Sequence, residues 1–124
     1  MIAPGTYNLH IQRGEDFIFE FDLKVDGVIL DLTGATVISQ IREDNRQGST
    51  KIEDFTTVVD DVSTPNPAPT LNKIKLTLTD AQTNAITQDG GFYDVLVIDS
   101  NSIDTYYLEG RVTIHNSVTD KADV

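Results

Sequence analysis

The stretch Phe17-Ile18-Phe19-Glu20-Phe21-Asp22-Leu23-Lys24-Val25 decides the fold class, because its apolar and charged residues alternate. Large apolar side chains occupy every odd position, and Glu20, Asp22 and Lys24 fall between them. Successive side chains of a β-strand point to opposite faces, so this pattern predicts a strand with one face in a core and one in water. A helix with the same sequence would spread its apolar residues around the whole cylinder.

The segments around this stretch predict β-hairpins. Asp26-Gly27 suits a tight turn into the apolar residues 28–32, which completes a first hairpin. Two long β-rich runs, residues 92–99 and 105–115, predict a second hairpin. Further strands are predicted at residues 7–12, 36–42, 51–59 and 73–78.

Two details of these segments carry specific expectations. In the first strand, Tyr7, Leu9 and Ile11 share one face, whereas in residues 36–42 both faces are partly apolar. Residues 80–86 are predicted to form a short helix, because Thr79 and Gln82 can make the reciprocal hydrogen bonds of a capping box.

This element order predicts an all-β protein. Seven or eight short strands, one short helical turn and no βαβ alternation favour an antiparallel two-sheet β-sandwich, with a small open barrel as the nearest alternative. Residues 1–115 are predicted to form a single β-sandwich domain, followed by a polar C-terminal arm at 116–124. The Pro-rich stretch 60–70 is a connection within that domain, since neither side alone has enough strands to close a core.

Composition excludes several function classes. Nine basic and 20 acidic residues give a net charge of −11, so the chain repels phosphate backbones and anionic lipid surfaces, and neither nucleic acid nor a membrane is expected as a partner. The absence of cysteine removes thiolate metal sites, iron–sulfur clusters and cysteine nucleophiles. No apolar run approaches the ~20 residues that cross a bilayer, and no signal peptide is expected from the first residues.

The two histidines, His10 and His115, lie on the polar faces of the first and last strand runs and are expected to face solvent. If these strands were neighbours, the two rings could meet and bind a metal. Carboxylate pairs such as Glu15/Asp16 and Asp99/Asp104 lie in turns, where Asp commonly bonds to nearby backbone N–H groups. A surface calcium site in these acidic loops stays open as an alternative.

No sequence motif for catalysis is present. The chain contains neither the G-x-S-x-G motif of a serine nucleophile nor a phosphate-binding G-x-x-x-x-G-K loop. The expectation is therefore a chain that is not an enzyme, with no catalytic residue, no cofactor and no dedicated metal site.

Five stretches in a fixed order carry a family resemblance: QRGEDFIFEFDL, GVILDLTGATVISQIRE, KIKLTLTDAQTNAI, GGFYDVLVID and YYLEGRVTIHNSVT. Together they resemble the N-terminal domain of phage baseplate upper proteins and of related small phage virion proteins, over nearly the whole chain. The matching residues are Arg13, Gly14, Phe17, Asp31, Leu32, Thr33, Gly34, Thr36, Gln82, Thr83, Tyr93, Leu108, Gly110 and Val112.

This resemblance implies an immunoglobulin-like β-sandwich that docks onto other phage virion proteins without catalysis. The implied role is a tail, neck or baseplate adaptor within a symmetric multimer, located in the virion and assembled in the host cytoplasm. The alternative within the same class is a capsid decoration protein. A different class, a carbohydrate- or calcium-dependent binding module, would use the acidic turns with Tyr106 or Tyr107.

Candidate contacts to such partners come from three features. The Pro-rich connection is extended and lacks ladder donors, an exposed tyrosine supports an interface, and polar terminal arms can order on a neighbour. The residues are Pro65, Pro67, Pro69, Tyr106, Val118 and Val124.

Overall fold

A computed structural model describes residues 4–25, 28–61 and 71–119 of the 124-residue chain. These residues form eleven strands and one helix. In chain order they are β1 (Gly5–Thr6), β2 (Leu9–Gln12), β3 (Phe17–Asp22), β4 (Lys24–Val25), β5 (Val28–Ile29), β6 (Thr36–Arg42), β7 (Lys51–Asp54), β8 (Thr56–Asp61), β9 (Leu71–Leu78), α1 (Asp80–Ala85), β10 (Gly90–Ile98) and β11 (Asp104–His115).

Two sheets pack face to face. The larger has the order β1-β11-β10-β6-β7, with β2 also paired to β11, and the smaller has the order β3-β9-β8. Strands β4 and β5 form a separate two-stranded ribbon. In an immunoglobulin domain the second, fifth and fourth strands form one sheet, and here β3, β9 and β8 take those places. The third, sixth and seventh strands form the other sheet, and here these are β6, β10 and β11, with β7 as an added edge strand. The predicted immunoglobulin-like β-sandwich is confirmed.

The core fills the space between the sheets with aliphatic side chains. Ile11 and Ile41 from the larger sheet and Ile74 and Leu76 from the smaller sheet are fully buried. Each occupies an alternate position of its strand, as the predicted period of two requires. Val95 on β10 is also fully buried, and a chain without cysteine closes this core by packing alone.

The strand predicted from the alternation over residues 17–25 is shorter in the structure. β3 ends at Asp22, and Leu23 is buried outside the strand, where its carbonyl accepts a hydrogen bond from the Leu30 backbone N–H at 3.1 Å. The first hairpin is therefore a separate ribbon rather than a continuation of β3. Apolar and charged residues go on alternating through Leu23 and Lys24. The sequence pattern alone therefore does not show that the chain leaves the smaller sheet after Asp22.

The predicted strand 51–59 is two strands in two sheets. β7 pairs with β6 in the larger sheet, and β8 pairs with β9 in the smaller one. Phe55 stands between them, buried, with its backbone N–H bonded to the Ser39 carbonyl at 3.0 Å. Its ring lies 5.9 Å from that of Phe17 and 6.3 Å from that of Tyr93. The buried ring thus packs between the sheets at the point where the chain crosses from one to the other.

The N-terminal strands pair in parallel with β11, whereas the other strand pairings of the described residues are antiparallel. Between β1 and β2 the chain crosses Gly110, where an added Cβ would lie 2.0 Å from the Tyr7 carbonyl oxygen. Glycine at this position permits the close approach. Tyr7, predicted to face inward with Leu9 and Ile11, is 53% exposed instead and stacks on the Phe19 ring at 5.0 Å.

The short helix α1 begins as predicted. The Thr79 hydroxyl accepts from the Gln82 backbone N–H, and the Gln82 side chain accepts from the Thr79 backbone N–H, which completes the capping box. On the helix, Thr83 is fully buried, donates to the Glu15 carbonyl and accepts from the Gly14 N–H. None of the helices in the described part of the chain is long and apolar enough to span a membrane.

Residues of the family resemblance explain several turns. Arg13 donates to the carbonyls of Ile86 and Gln88 at 2.8 and 2.6 Å, and also bonds to Asn116. Asp31 accepts from both the backbone N–H and the hydroxyl of Thr33, and these bonds lower the pKa of its carboxyl. The matching residues in these turns therefore have structural roles.

Candidate docking face

A groove of about 930 Å³ lies on the outer face of the larger sheet. Its floor is built from outward-facing residues of β6, β10 and β11, which stand in three rows across the sheet. Each row takes one residue from each strand, so the chemistry of the groove changes from row to row along β10.

The first row is apolar. Ile38, Leu96 and Tyr106 are cross-strand neighbours in the order β6, β10 and β11. Ile38 remains 41% exposed, and Leu96 and Tyr106 are half-buried. Contiguous apolar side chains on an outer face are typical of interaction surfaces.

The second row is acidic. Gln40, Asp94 and Glu109 are neighbours across the same strands, which places two carboxylates directly opposite each other. Desolvation raises the pKa of the Asp94 carboxyl, and the Glu109 carboxylate adds to the rise, while Arg42 opposes it. Like charges on opposite positions of a sheet destabilise it. The row thus favours a cation in contact with it.

The third row is basic. Arg42, Phe92 and Arg111 are neighbours, and the Arg111 guanidinium lies 5.3 Å from the centroid of the Phe92 ring. Arg42 donates two hydrogen bonds to the Gln40 side-chain oxygen, at 3.2 and 2.9 Å. These contacts hold the guanidinium groups of both arginines against the sheet.

The loop between β6 and β7 forms one wall of the groove. Asp44, Asn45, Arg46 and Gln47 line it, and the Gln47 side chain donates to the Tyr106 hydroxyl at 3.3 Å. Hydrogen bonds from the Ser49 hydroxyl to backbone carbonyls of the loop hold its shape. The loop therefore reaches across the sheet to the apolar row.

The N-terminal crossing forms the opposite wall. Thr6 and Asn8 line the groove, and the Asn8 side chain accepts from the Arg111 backbone N–H at 3.0 Å. The buried Tyr93 hydroxyl donates to the Tyr7 carbonyl at 2.6 Å, and burial raises the pKa of that hydroxyl. This bond fastens the wall to β10, the central strand of the floor.

The structure brings one of the predicted contact residues into the groove. Tyr106 lies in the apolar row, whereas Val118 is fully exposed after β11 and lies away from the groove. The remaining candidates, Pro65, Pro67, Pro69 and Val124, lie outside the described residues.

Sequence reasoning missed most of the groove. One feature of the sequence does point to the groove: residues 36–42 are apolar on both faces of the strand. Ile38 is the apolar residue on the outward face of β6, and it is exposed. The rows themselves depend on register between strands far apart in the chain.

The two histidines and the turn residue Asp99 lie outside the groove. Asp99 accepts from the backbone N–H groups of Asn101 and Ile103, as the turn interpretation predicts. Across the described residues, no three His, Cys, Asp or Glu side chains come together as a metal site. His10 and His115 are exposed as expected, and the parallel pairing of β2 with β11 brings their rings together.

Neither a protein-family model nor a curated protein matches the chain. Among solved structures, the extracellular domain of the voltage-gated sodium channel beta4 subunit is similar over 95% of this chain and 98% of that chain. Its sequence identity is 10% and its TM-score is 0.45, and it is described as a parallel homodimer with a role in cell–cell adhesion.

Proposed function

We propose that this chain is a non-enzymatic structural protein of a tailed-phage virion, where it docks onto another virion protein as a tail, neck or baseplate adaptor. The virion setting is supported by the ordered sequence motifs that resemble small phage virion proteins. The docking role is supported by one structural observation, the groove whose floor carries apolar, acidic and basic rows.

The partner's chemistry follows from the order of these rows. They lie at alternate residues of β10, namely Leu96, Asp94 and Phe92, and are therefore spaced by about 7 Å. An extended segment that runs along β10 presents its own alternate side chains at the same repeat. The complementary segment has an apolar residue, then Lys or Arg, then Asp or Glu, at successive alternate positions.

Charge balance supports this face over the rest of the surface. Arg42, Arg46 and Arg111 line the groove together with Asp44, Asp94 and Glu109, so this face has no net charge in a chain of −11. A partner that approaches elsewhere meets a net acidic surface. A segment that carries both positive and negative side chains can enter the groove without long-range electrostatic repulsion.

Quantitative mass spectrometry of purified particles tests the setting. A copy number that is a small multiple of three or six is expected, because symmetric rings set such counts. Near-equality with the major capsid protein would replace the adaptor role by capsid decoration. Absence from particles would overturn the virion proposal.

Two exposed isoleucines provide a matched test of the docking face. Ile38 lies in the apolar row, and Ile18 lies on the outer face of the smaller sheet. Each change places Asp in a strand, so Ile38→Asp and Ile18→Asp should both stay folded and each lower the thermal unfolding temperature by about 2–6 °C. Ile38→Asp should reduce incorporation into particles at least about tenfold, and Ile18→Asp should leave it unchanged. Equal incorporation of both variants would overturn the groove as the docking face.

A further inference from the structure

His10 and His115 form a close pair at the edge of the larger sheet. His10 lies opposite Thr113 and His115 lies opposite Gln12, so both imidazoles are on the outward side of paired strands. Nδ1 of His10 is 3.0 Å from Nε2 of His115, and the two exposed rings stack with centroids 5.2 Å apart. Neither ring lines the docking groove.

The backbone that holds this pair is fixed independently of the two rings. The Arg13 backbone N–H donates to the His115 carbonyl at 3.0 Å, and the Gln12 side chain donates to the Asn116 carbonyl at 2.9 Å. The ring positions are thus set by sheet pairing between residues 105 positions apart in sequence. Such preorganisation reduces the entropic cost of holding two ligands at one ion.

The two nitrogens are close enough for one ion to bind both. With metal–nitrogen bonds of about 2.0–2.1 Å, two ligands at a right angle are about 2.8–3.0 Å apart, whereas two tetrahedral ligands are about 3.3–3.4 Å apart. The observed 3.0 Å is a hydrogen-bond distance between the two rings, and it is also close to the span of two ligands at a right angle. Adjacent positions at a right angle occur in the tetragonal sites of copper(II) and nickel(II), and imidazole is a preferred ligand of both.

We propose that His10 and His115 form a two-histidine site for a divalent transition-metal ion of tetragonal geometry, with copper(II) bound more tightly than nickel(II). The ring that donates the present hydrogen bond moves its proton to its other nitrogen, so both facing nitrogens offer a lone pair and no net proton is released. Water fills the remaining positions. The ion would then link β2 to β11, the first long strand to the last.

The link has a measurable consequence for stability. An unfolded chain does not hold the two histidines together, so the ion binds the native state preferentially and raises the unfolding temperature. The chain contains only these two histidines. In a protein without a histidine tag, any metal ion that is bound through histidine is therefore bound by this pair. The proposal is independent of the docking role.

Thermal unfolding and copper titration of the tag-free full chain test the site. Saturating Cu²⁺ should raise the unfolding temperature by on the order of 5 °C, with a smaller rise for Ni²⁺. His10→Gln and His115→Gln should each weaken Cu²⁺ binding at least about tenfold. Thr113→Gln, a change on the same outward face that removes no imidazole, should bind as wild type does.

Electron paramagnetic resonance of the copper-loaded wild type gives a second readout that does not require a folded variant. Hyperfine coupling to two imidazole nitrogens is expected. Coupling to one nitrogen or none would overturn the proposal. So would a double variant, His10→Gln with His115→Gln, that binds Cu²⁺ within about twofold of wild type.

Discussion

The outer faces of the two sheets handle charge differently. On the smaller sheet, Glu20 lies between two cations, 3.6 Å from the Lys73 ammonium and 3.7 Å from that of Lys75. On the larger sheet, Asp94 lies opposite Glu109; burial raises the pKa of the Asp94 carboxyl, and the Glu109 carboxylate adds to the rise. Cross-strand pairs of opposite charge stabilise a sheet, and pairs of like charge destabilise it.

Under the proposed docking role, this difference separates a surface that faces water from one that binds a partner. The smaller sheet neutralises its own charges by ordinary cross-strand pairing. The larger sheet keeps an unfavourable carboxylate pair between an apolar row and a basic row, within walls that further hydrogen bonds hold in place. We interpret the like-charge pair as a cost in stability that a bound cationic side chain would remove.

The largest expected effect concerns the N-terminal wall of the groove. Gly110→Ala should destabilise the fold by about 3 kcal/mol, because the new methyl group meets the Tyr7 carbonyl oxygen and forces the crossing strand away. Urea unfolding measures the loss. Gly5→Ala is the control, since its added Cβ would meet only ordinary contacts at 3.7 and 3.8 Å, and it should change stability by less than about 0.5 kcal/mol.

A smaller effect is expected at the bond that fastens this wall. Tyr93→Phe removes the hydroxyl that donates to the Tyr7 carbonyl and should cost about 1–2 kcal/mol. Amide hydrogen exchange should accelerate at residues 5–7 and stay unchanged in the smaller sheet. Tyr106→Phe, which loses a hydrogen bond of 3.3 Å at the surface, should stay within about 0.5 kcal/mol of wild type. Equal losses in the two variants would contradict the assigned role of Tyr93.

The weakest stability effect is expected on the smaller sheet. Glu20→Gln breaks two partly exposed ion pairs and should cost only about 0.3–0.5 kcal/mol, less at high salt because ions screen such pairs. Unfolding in low and high salt measures this difference. Particle incorporation should match wild type, and a reduced value would show that this face also contacts a partner.

Much of the fold was predictable because it depends on local periodicity. Ile74, Leu76 and Leu78 are buried as their alternation predicts, and the capping box at Thr79 forms as the sequence indicates. Phe55 was not recognised as a crossing point, since the change of sheet depends on aromatic packing against residues distant in sequence.

The groove was less predictable than the fold. Tyr106 was selected, yet its neighbours Ile38 and Leu96 belong to strands far away in the chain, and the bulge between Val95 and Leu96 sets which residues of β10 and β11 face each other. Register of this kind is a tertiary property. For the same reason, the sequence predicts contact between His10 and His115 only if the first and last strands are neighbours, which the pairing of β2 with β11 makes them.

Asp94→Asn tests the central claim most directly, because it separates stability from docking. The raised carboxyl pKa means that the folded state disfavours the charged form, so the variant should be more stable than wild type at neutral pH, by less than about 1 kcal/mol. The gain should shrink as the pH falls through the raised value towards 3.8, where the unfolded-state carboxyl also becomes protonated.

The same variant should incorporate into particles at least about tenfold less well, because the acidic row loses half of its charge. Higher stability together with weaker incorporation is the result that the account predicts. A variant that gains no stability at neutral pH, or that incorporates as well as wild type, would contradict it.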